Sequence, residues 1–336
     1  WGTYDVIVIG GGISGVAAAR TLAANGLRIA LIETTGTLGR EITSAYNSFV
    51  DVPGFAGVSD SLSHFCDSLY ERKGVFGRQI DPTVAAVAFD AMLEPPAVDV
   101  LFHVWPVQLL TDGGKVVGLE VACRSGLARL DAPKVIDASM HGKIGKAWFK
   151  TSPAAEGGSS IQLLYIGVTG ECPKELELTL PNAGQLSVVC RPTFWPNEWR
   201  VIVRRNGQFL RSDWQLQLEE LLGPLCERIP ALRSGVLAHL ADDVWGEPAL
   251  QIAASSADHE VVGHVMDPND EPNLVGKPFA FPIERGMLCN PAIVDGLFLA
   301  GPWLAHYPFD SLKDQTAIVN AFVLGDLVAH TAIQQG

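Results

Sequence analysis

The stretch Tyr4-Asp5-Val6-Ile7-Val8-Ile9-Gly10-Gly11-Gly12-Ile13-Ser14-Gly15 decides how this chain is read. Its apolar run has the character of a strand buried on both faces, and the glycines that follow have the spacing GxGxxG. Gly10 permits a tight turn, Gly12 lets the backbone approach a phosphate with no Cβ in the way, and Gly15 lets the next helix lie close to the sheet. That helix is expected over 16–25, an alanine-rich run closed by Gly26. A second apolar strand, 27–32, then ends in Glu33. Together these pieces make a unit that holds a dinucleotide. The helix N-terminus offers free N–H groups to the pyrophosphate, and the acid accepts the ribose hydroxyls. An adenine dinucleotide is therefore expected at Gly10, Gly12, Ile13, Ser14, Gly15, Glu33 and Thr34.

The whole chain sets the frame. It has 336 residues, 48% hydrophobic and 18% charged, which suits a compact α/β protein of one large or two medium domains. A formal net charge of −13, with no basic run to offset it, argues against nucleic acid or an anionic membrane surface as partner. No apolar run is expected to reach the roughly 18 residues of a membrane span, the longest candidate, 296–305, being short and followed by His306. The chain opens at Trp1 without a signal-peptide pattern. Its N-terminus is expected to be processed or truncated and its compartment the cytoplasm, with export left open. The six cysteines are widely spaced and never form CxxC, so most of them read as buried thiols rather than a disulfide scaffold or a redox dithiol.

Beyond Glu33, the loop Thr34-Thr35-Gly36-Thr37-Leu38-Gly39-Arg40-Glu41-Ile42 leaves the same end of the sheet as the glycine turn, which places Gly39 and Arg40 beside the dinucleotide. Helices are expected over 61–73 and 82–93. From 98 to 139 the pattern alternates, with strands over 98–110, 116–123, 127–130 and 134–136 and turns at Asp112-Gly113-Gly114-Lys115 and near Ser125-Gly126. This reads as an inserted β-meander whose end, Val135-Ile136-Asp137-Ala138-Ser139, returns to the cofactor. Between 151 and 284 the character changes again: strands over 160–168, 186–191 and 200–204, a helix over 213–228, and four tryptophans, Trp195, Trp199, Trp214 and Trp245. A last short strand, 296–301, precedes a helix over 311–333, with Ser311 and Asp314 spaced as a capping box. The fold class expected is α/β, with a Rossmann-like dinucleotide-binding domain over 1–150 and 285–336, its inserted β-meander, and a second α+β substrate domain over 151–284.

In this order the pieces resemble the FAD-dependent oxidoreductases of the glutathione-reductase-like flavoprotein superfamily, most closely the group called simply the FAD-dependent oxidoreductase family. The carriers are residues 4–15 with Glu33, the Leu38-Gly39-Arg40 loop, Asp81-Pro82 opening a helix, the 135–139 strand, and 296–301 before the last helix. The resemblance implies FAD as cofactor, with a site completed by Ser139, by Gly301 and Pro302, and by Ser311 and Leu312 at a helix N-terminus aimed at the pyrimidine end of the flavin. Lys313 would reinforce the charge that reduction places there. Three positions depart from the family. Pro302 stands where an acid is usual, with Asp310 its nearest substitute, and Ala138-Ser139-Met140 replaces Ala-Thr-Gly. The strand that pairs with the adenine edge aligns at Pro106, which has no N–H, so that contact either slips to Val107 or is lost.

With FAD supplying the redox chemistry, the protein must place a substrate and manage one proton. His306 and Tyr307, in the loop between the last strand and helix, are the best-placed candidate proton handlers and His141 is the third, while Lys313 joins the catalytic candidates for the charge it would reinforce. His259 and His264 are five apart, which puts them on different faces of a helix or strand, so no metal site is expected. No second strand–GxGxxG–helix unit marks a nicotinamide domain, and the electron acceptor stays open among oxygen, a quinone, a carrier protein and a nicotinamide. The function expected is that of an FAD-dependent dehydrogenase, oxidase or monooxygenase acting on a small organic molecule held between the domains. A non-catalytic binding or assembly protein on a flavoprotein fold, or an NAD-linked dehydrogenase, remain alternatives.

Overall fold

Strand β1 (Val6–Ile9) is buried at every position and feeds helix α1 (Ile13–Ala24), which returns the chain to β2 (Ile29–Glu33). The computed structural model describes residues 2–55, 57–93, 96–154, 157–207, 211–246, 248–255, 257–268, 280–309 and 313–335. Small residues let α1 sit low on the sheet: a Cβ on Gly15 would collide with the Gly10 carbonyl. A short helix, α2 (Arg40–Thr43), follows, then α3 (Asp60–Glu71) and α4 (Pro82–Ala91). Side chains cap both longer helices. Ser59 Oγ accepts from the Leu62 N–H, and Asp81 accepts from the N–H groups of Thr83 and Val84 ahead of a first-turn proline.

The expected strand 98–110 is two strands. β3 (Val98–Phe102) pairs in parallel with β2, and His103 then takes a left-handed backbone, φ 56°, that breaks the run. The meander proper is β4 (Trp105–Asp112), β5 (Lys115–Cys123) and β6 (Gly126–Asp131), joined in antiparallel register. β7 (Lys134–Asp137) re-enters the parallel sheet beside β1.

The next strands are β8 (Gly158–Ile166), β9 (Glu175–Leu180), β10 (Gly184–Pro192) and β11 (Glu198–Asn206), followed by helix α5 (Arg211–Arg228) and by β12 (Val236–Leu240) and β13 (Trp245–Gly246). They form an antiparallel sheet in the order β9-β10-β11-β8-β12, with β13 paired to the start of β8. Ile161, Leu163, Val188 and Val201 pack with Leu221 and Leu225 of α5 in a core separate from that of the parallel sheet. The other face is turned toward the loop after α2.

The chain closes with β14 (Leu297–Leu299) and α6 (Asp314–Gln334), completing a parallel sheet in the order β14-β7-β1-β2-β3. Its register sets Ile9 beside both Ile32 and Asp137, and Asp137 beside Leu299, so these residues and Glu33 share one edge of the sheet. α6 crosses α1 so closely that a Cβ on Gly325 would strike the Ser14 carbonyl. Buried Asp326 of α6 accepts hydrogen bonds from Thr21 Oγ1 (2.6 Å) and Ser61 Oγ (2.5 Å), tying α1, α3 and α6 together. Contrary to the expectation of no sufficiently long apolar run, Gln315–Gln334 has the length and mean hydropathy (1.5) of a membrane span. Its most apolar window is 78% buried within the fold, so this surface is already covered by protein.

Candidate active site

Where β1, β2 and β7 end, the chain leaves the sheet through the glycine turn, the Thr34–Arg40 loop and the 138–144 loop. A cavity of about 490 Å³ opens between these loops and the second sheet. Gly10, Gly12, Ser14, Glu33, Thr34, Arg40 and Ser139 line it from the parallel-sheet side, and Asp243, Val244, Trp245 and Gly246 from the other. Pro302, Tyr307 and Phe309 complete the wall.

The glycine turn has the local geometry that its spacing demands. Ile13, Ser14 and Gly15 begin α1 with no carbonyl four residues back to receive their N–H groups, and Gly12 caps the helix without a side-chain bond. Glu33 is 9% exposed; its Oε2 accepts from the Gly11 N–H (2.6 Å) and its Oε1 from the Thr35 N–H (2.7 Å), which fixes the carboxylate at the strand tip. These residues fit an adenine dinucleotide, with one neighbour that sequence reasoning missed. Glu41 Oε2 accepts from the Ile13 N–H (3.0 Å), and a Cβ on Gly12 would lie 2.8 Å from Glu41 Oε1. A side-chain carboxylate thus lies on the helix N-terminus where a phosphate would. Burial pushes its pKa above the ordinary glutamate range; the Arg40 charge and the hydrogen bond from Ile13 pull the other way. Its position in the Arg40-Glu41 loop was the available signal.

Asp137 organises the neighbouring loop. Its Oδ1 accepts from Ser139 N (3.0 Å) and Ser139 Oγ (2.6 Å), and its Oδ2 from Ile144 N (2.7 Å) and Gly145 N (2.8 Å). Ser139 is thereby held at the cavity, and its carbonyl accepts from Trp303 Nε1 (2.7 Å), joining this loop to the one that follows β14. Across the cavity, Arg40 Nε donates to Asp243 Oδ2 (2.5 Å) and Nη2 to the Val244 carbonyl (3.0 Å), so one cation links the two sheets. His141 stands at the rim; the protein packed about the ring, then the Arg40 charge, lowers its pKa.

The remaining expected residues are placed as follows. Ile13, Gly15, Gly39 and Gly301 lie in the loops and first turn that shape the cavity, without lining it. Val107 sits where the β4–β5 pairing shifts register, 46% exposed and away from the cavity; Pro106 is the residue that reaches the lining. Of the proton handlers, Tyr307 is buried in the wall, and burial raises its pKa. His306, with φ 65°, turns to solvent. Lys313 occupies the N-cap position of α6, which begins at Asp314 with no side-chain cap, so the N-cap lies two residues later than in the capping-box reading. Ser311, Leu312 and Asp310 lie outside the described residues.

Residues 5–148 match the model of a family described as FAD dependent oxidoreductase. That match covers 144 of the 336 residues, and over them the chain is similar to the FAD-dependent oxidoreductases. No curated protein matches the sequence. Among solved structures, a geranylgeranyl bacteriochlorophyll reductase-like protein from Thermoplasma acidophilum is similar over 98% of this chain and 78% of its own, with 20% identity and a TM-score of 0.58. The p-nitrophenol 4-monooxygenase PnpA from Pseudomonas putida DLL-E4 is similar over 99% and 82%, with 14% identity and a TM-score of 0.58. The myxobacterial chondrochloren halogenase CndH, described as an FAD-dependent halogenase variant, is similar over 96% and 73%, with 14% identity and a TM-score of 0.56. At these identities the likeness concerns the fold. Each of the three is similar over 96% or more of this chain.

Proposed function

We propose that this oxidoreductase holds FAD along the parallel-sheet edge and oxidises a small organic molecule under the second sheet. Residues 1–150 and 285–336 serve as the FAD-binding domain and 151–284 as the substrate domain. The observation that carries this reading is the single cavity bounded by Gly10, Gly12 and Glu33 on one side and by Asp243–Gly246 on the other. Two separate hydrophobic cores support a two-domain reading, but Ile252, Val265 and Ile283 pack in the core of the parallel sheet, so the part of 151–284 beyond the second sheet sides with the first core. The reductase, monooxygenase and halogenase among the similar structures favour a small organic substrate, and the glycine turn with its terminal helix favours kinship with glutathione-reductase-like flavoproteins.

When bound, FAD supplies the two-electron redox chemistry. The chain supplies the rest. Gly10, Gly12 and Ser14 accommodate the pyrophosphate and Glu33 the ribose, while Ser139 and Pro302 border the cofactor further along. Tyr307 keeps its proton through the neutral range because burial raises its pKa, so it serves as a hydrogen-bond donor in the cavity wall. His141, its pKa lowered, is neutral near pH 7 and can accept a proton. These two take the proton-handling role in preference to His306 and Lys313, which do not line the cavity.

The test begins with cofactor released by heat from the purified protein and identified by mass. FAD at close to one per chain is expected, and a nicotinamide or an empty, colourless protein would sink the reading. Anaerobic bleaching of the yellow protein by a candidate substrate then scores turnover, and the rate of recolouring in air shows whether oxygen accepts the electrons.

A further inference from the structure

The face of the second sheet that is turned away from α5 carries a buried cation with too few partners. Leu164 on β8 pairs with Arg200 on one side and with His239 on the other, so these two side chains flank Leu164 on one sheet face. Gln162, two residues back on the same strand, shares that face. Arg200 is 3% exposed, and its Nε and Nη1 have no hydrogen-bond partner. No ion pair to it occurs among the described residues, although Glu198 and Asp81 are near enough to act on its charge. Burial lowers its pKa to about 10, so it remains a cation at neutral pH. Around it, Gln162 Nε2 donates to Asn47 Oδ1 (2.8 Å), which leaves Gln162 Oε1, Asn47 Nδ2 and His239 Nε2 buried and unpartnered.

What fills this slot is a ring. Tyr46, from the loop after α2, lies with its centroid 4.5 Å from the Arg200 guanidinium carbon and 4.8 Å from the His239 ring. It does so with φ 60°, a left-handed backbone that a bulky non-glycine residue adopts only when held there. The cation–π contact offsets part of the guanidinium's lost hydration, but it satisfies none of the N–H groups. One step back along the same face from Gln162, Ser160 pairs with Trp245 of the cavity wall, so this sheet face runs from the slot toward the cavity.

We infer that this slot is the substrate subsite, and that it takes a planar aromatic acid whose ring replaces that of Tyr46 and whose carboxylate binds Arg200. A carboxylate matches the guanidinium in charge and planarity. Asn47 Nδ2 is a further donor to the anion, and Gln162 Oε1 accepts from a hydroxyl or amine elsewhere on the ring. The Tyr46 loop must swing aside for the ligand to enter. This inference rests on the proposed function, because the slot matters to catalysis only if FAD occupies the cavity.

The experiment uses the full chain loaded with FAD, after its cofactor content has been measured. Benzoate and 4-hydroxybenzoate, with benzamide and 4-hydroxybenzamide as neutral isosteres, are titrated while the flavin absorbance and the heat of binding are followed. Each acid is expected to bind at least tenfold more tightly than its amide. That preference should disappear in Arg200→Met and survive in part in Arg200→Lys. The melting temperature of FAD-free Arg200→Met should equal or exceed that of the wild type, as expected for a buried cation awaiting a ligand. Equal binding of acid and amide, binding of neither, or an Arg200→Met chain that melts several degrees lower would overturn the inference. A wild-type chain that takes up no FAD instead overturns the functional reading beneath it.

Discussion

Asp137 at the edge of the parallel sheet and Arg200 on the face of the second are both nearly sealed from water, yet the chain treats them in opposite ways. Asp137 is 0% exposed and receives four donors, from Ser139, Ile144 and Gly145. Arg200 is 3% exposed and has two nitrogens with no acceptor. Burial of a charge is costly in either case. The difference teaches that the first cost is offset inside the fold, where the carboxylate fixes the shape of a cofactor loop, whereas the second is left for something that arrives from solution. Glu41 and Arg40 fall between these extremes. Glu41 accepts from the Ile13 N–H on the first turn of α1, and Arg40 has a partner on the other sheet.

The contrast can be broken or sharpened in steps of decreasing size. Asp137→Ala strands three buried N–H groups and should cost about 3–5 kcal/mol of stability, read from urea unfolding; a loss below about 1 kcal/mol would remove the distinction from Arg200. Arg200→Met should stay within about 1 kcal/mol of wild type or exceed it on the same curves, since it removes a charge with few partners.

Glu41→Gln comes next. It removes a negative charge from the place where a pyrophosphate would sit, so FAD should bind about tenfold more tightly, or about 1.4 kcal/mol, by fluorescence titration. The wild type should approach that affinity as the pH falls, and the variant should show little such dependence; an unchanged affinity would mean that the side chain moves away without cost. The sign for stability is the same. A carboxyl whose folded pKa is raised contributes fully below its ordinary value, 4.5, and that contribution is lost as the pH rises through the higher folded value. The FAD-free wild type should therefore lose stability relative to Glu41→Gln from that pH upward. Smallest is the link between the sheets. A double-mutant cycle on Arg40→Ala and Asp243→Ala should give a coupling of about 1 kcal/mol that shrinks with added salt, and zero coupling would mean that this ion pair adds nothing to the other contacts that join the two sheets.

Much of the cofactor side was legible in the sequence because its determinants are local. The spacing of Gly10, Gly12 and Gly15 after an apolar strand, and an acid at the end of the next strand, are short-range geometric requirements, and they bring Gly12, Ser14, Glu33 and Arg40 to one cavity. Errors arose where one backbone angle redirected the chain. His103 at φ 56° divided an apparently continuous strand between two sheets, and His306 at φ 65° turned one of two adjacent candidates to solvent while Tyr307 went inward. Period-2 strands such as Glu175–Leu180 were visible as Glu-Leu alternation but were not read as strands. Glu41 differs again: its loop beside the glycine turn signalled proximity, but no local pattern says that its carboxylate will accept from a helix N-terminus 28 residues earlier in the chain.

By itself, the sequence determined the dinucleotide unit, the acid at its second strand, and the return of the C-terminal strand and helix, because glycine spacing, apolar runs and small-residue helices act through neighbours only a few positions away. Only the tertiary structure decided which charges would be satisfied. Arg200, Gln162, His239 and Asn47 belong to three strands and a distant loop, and whether a buried polar atom finds a partner depends on how those separate segments meet in space, which no local pattern encodes.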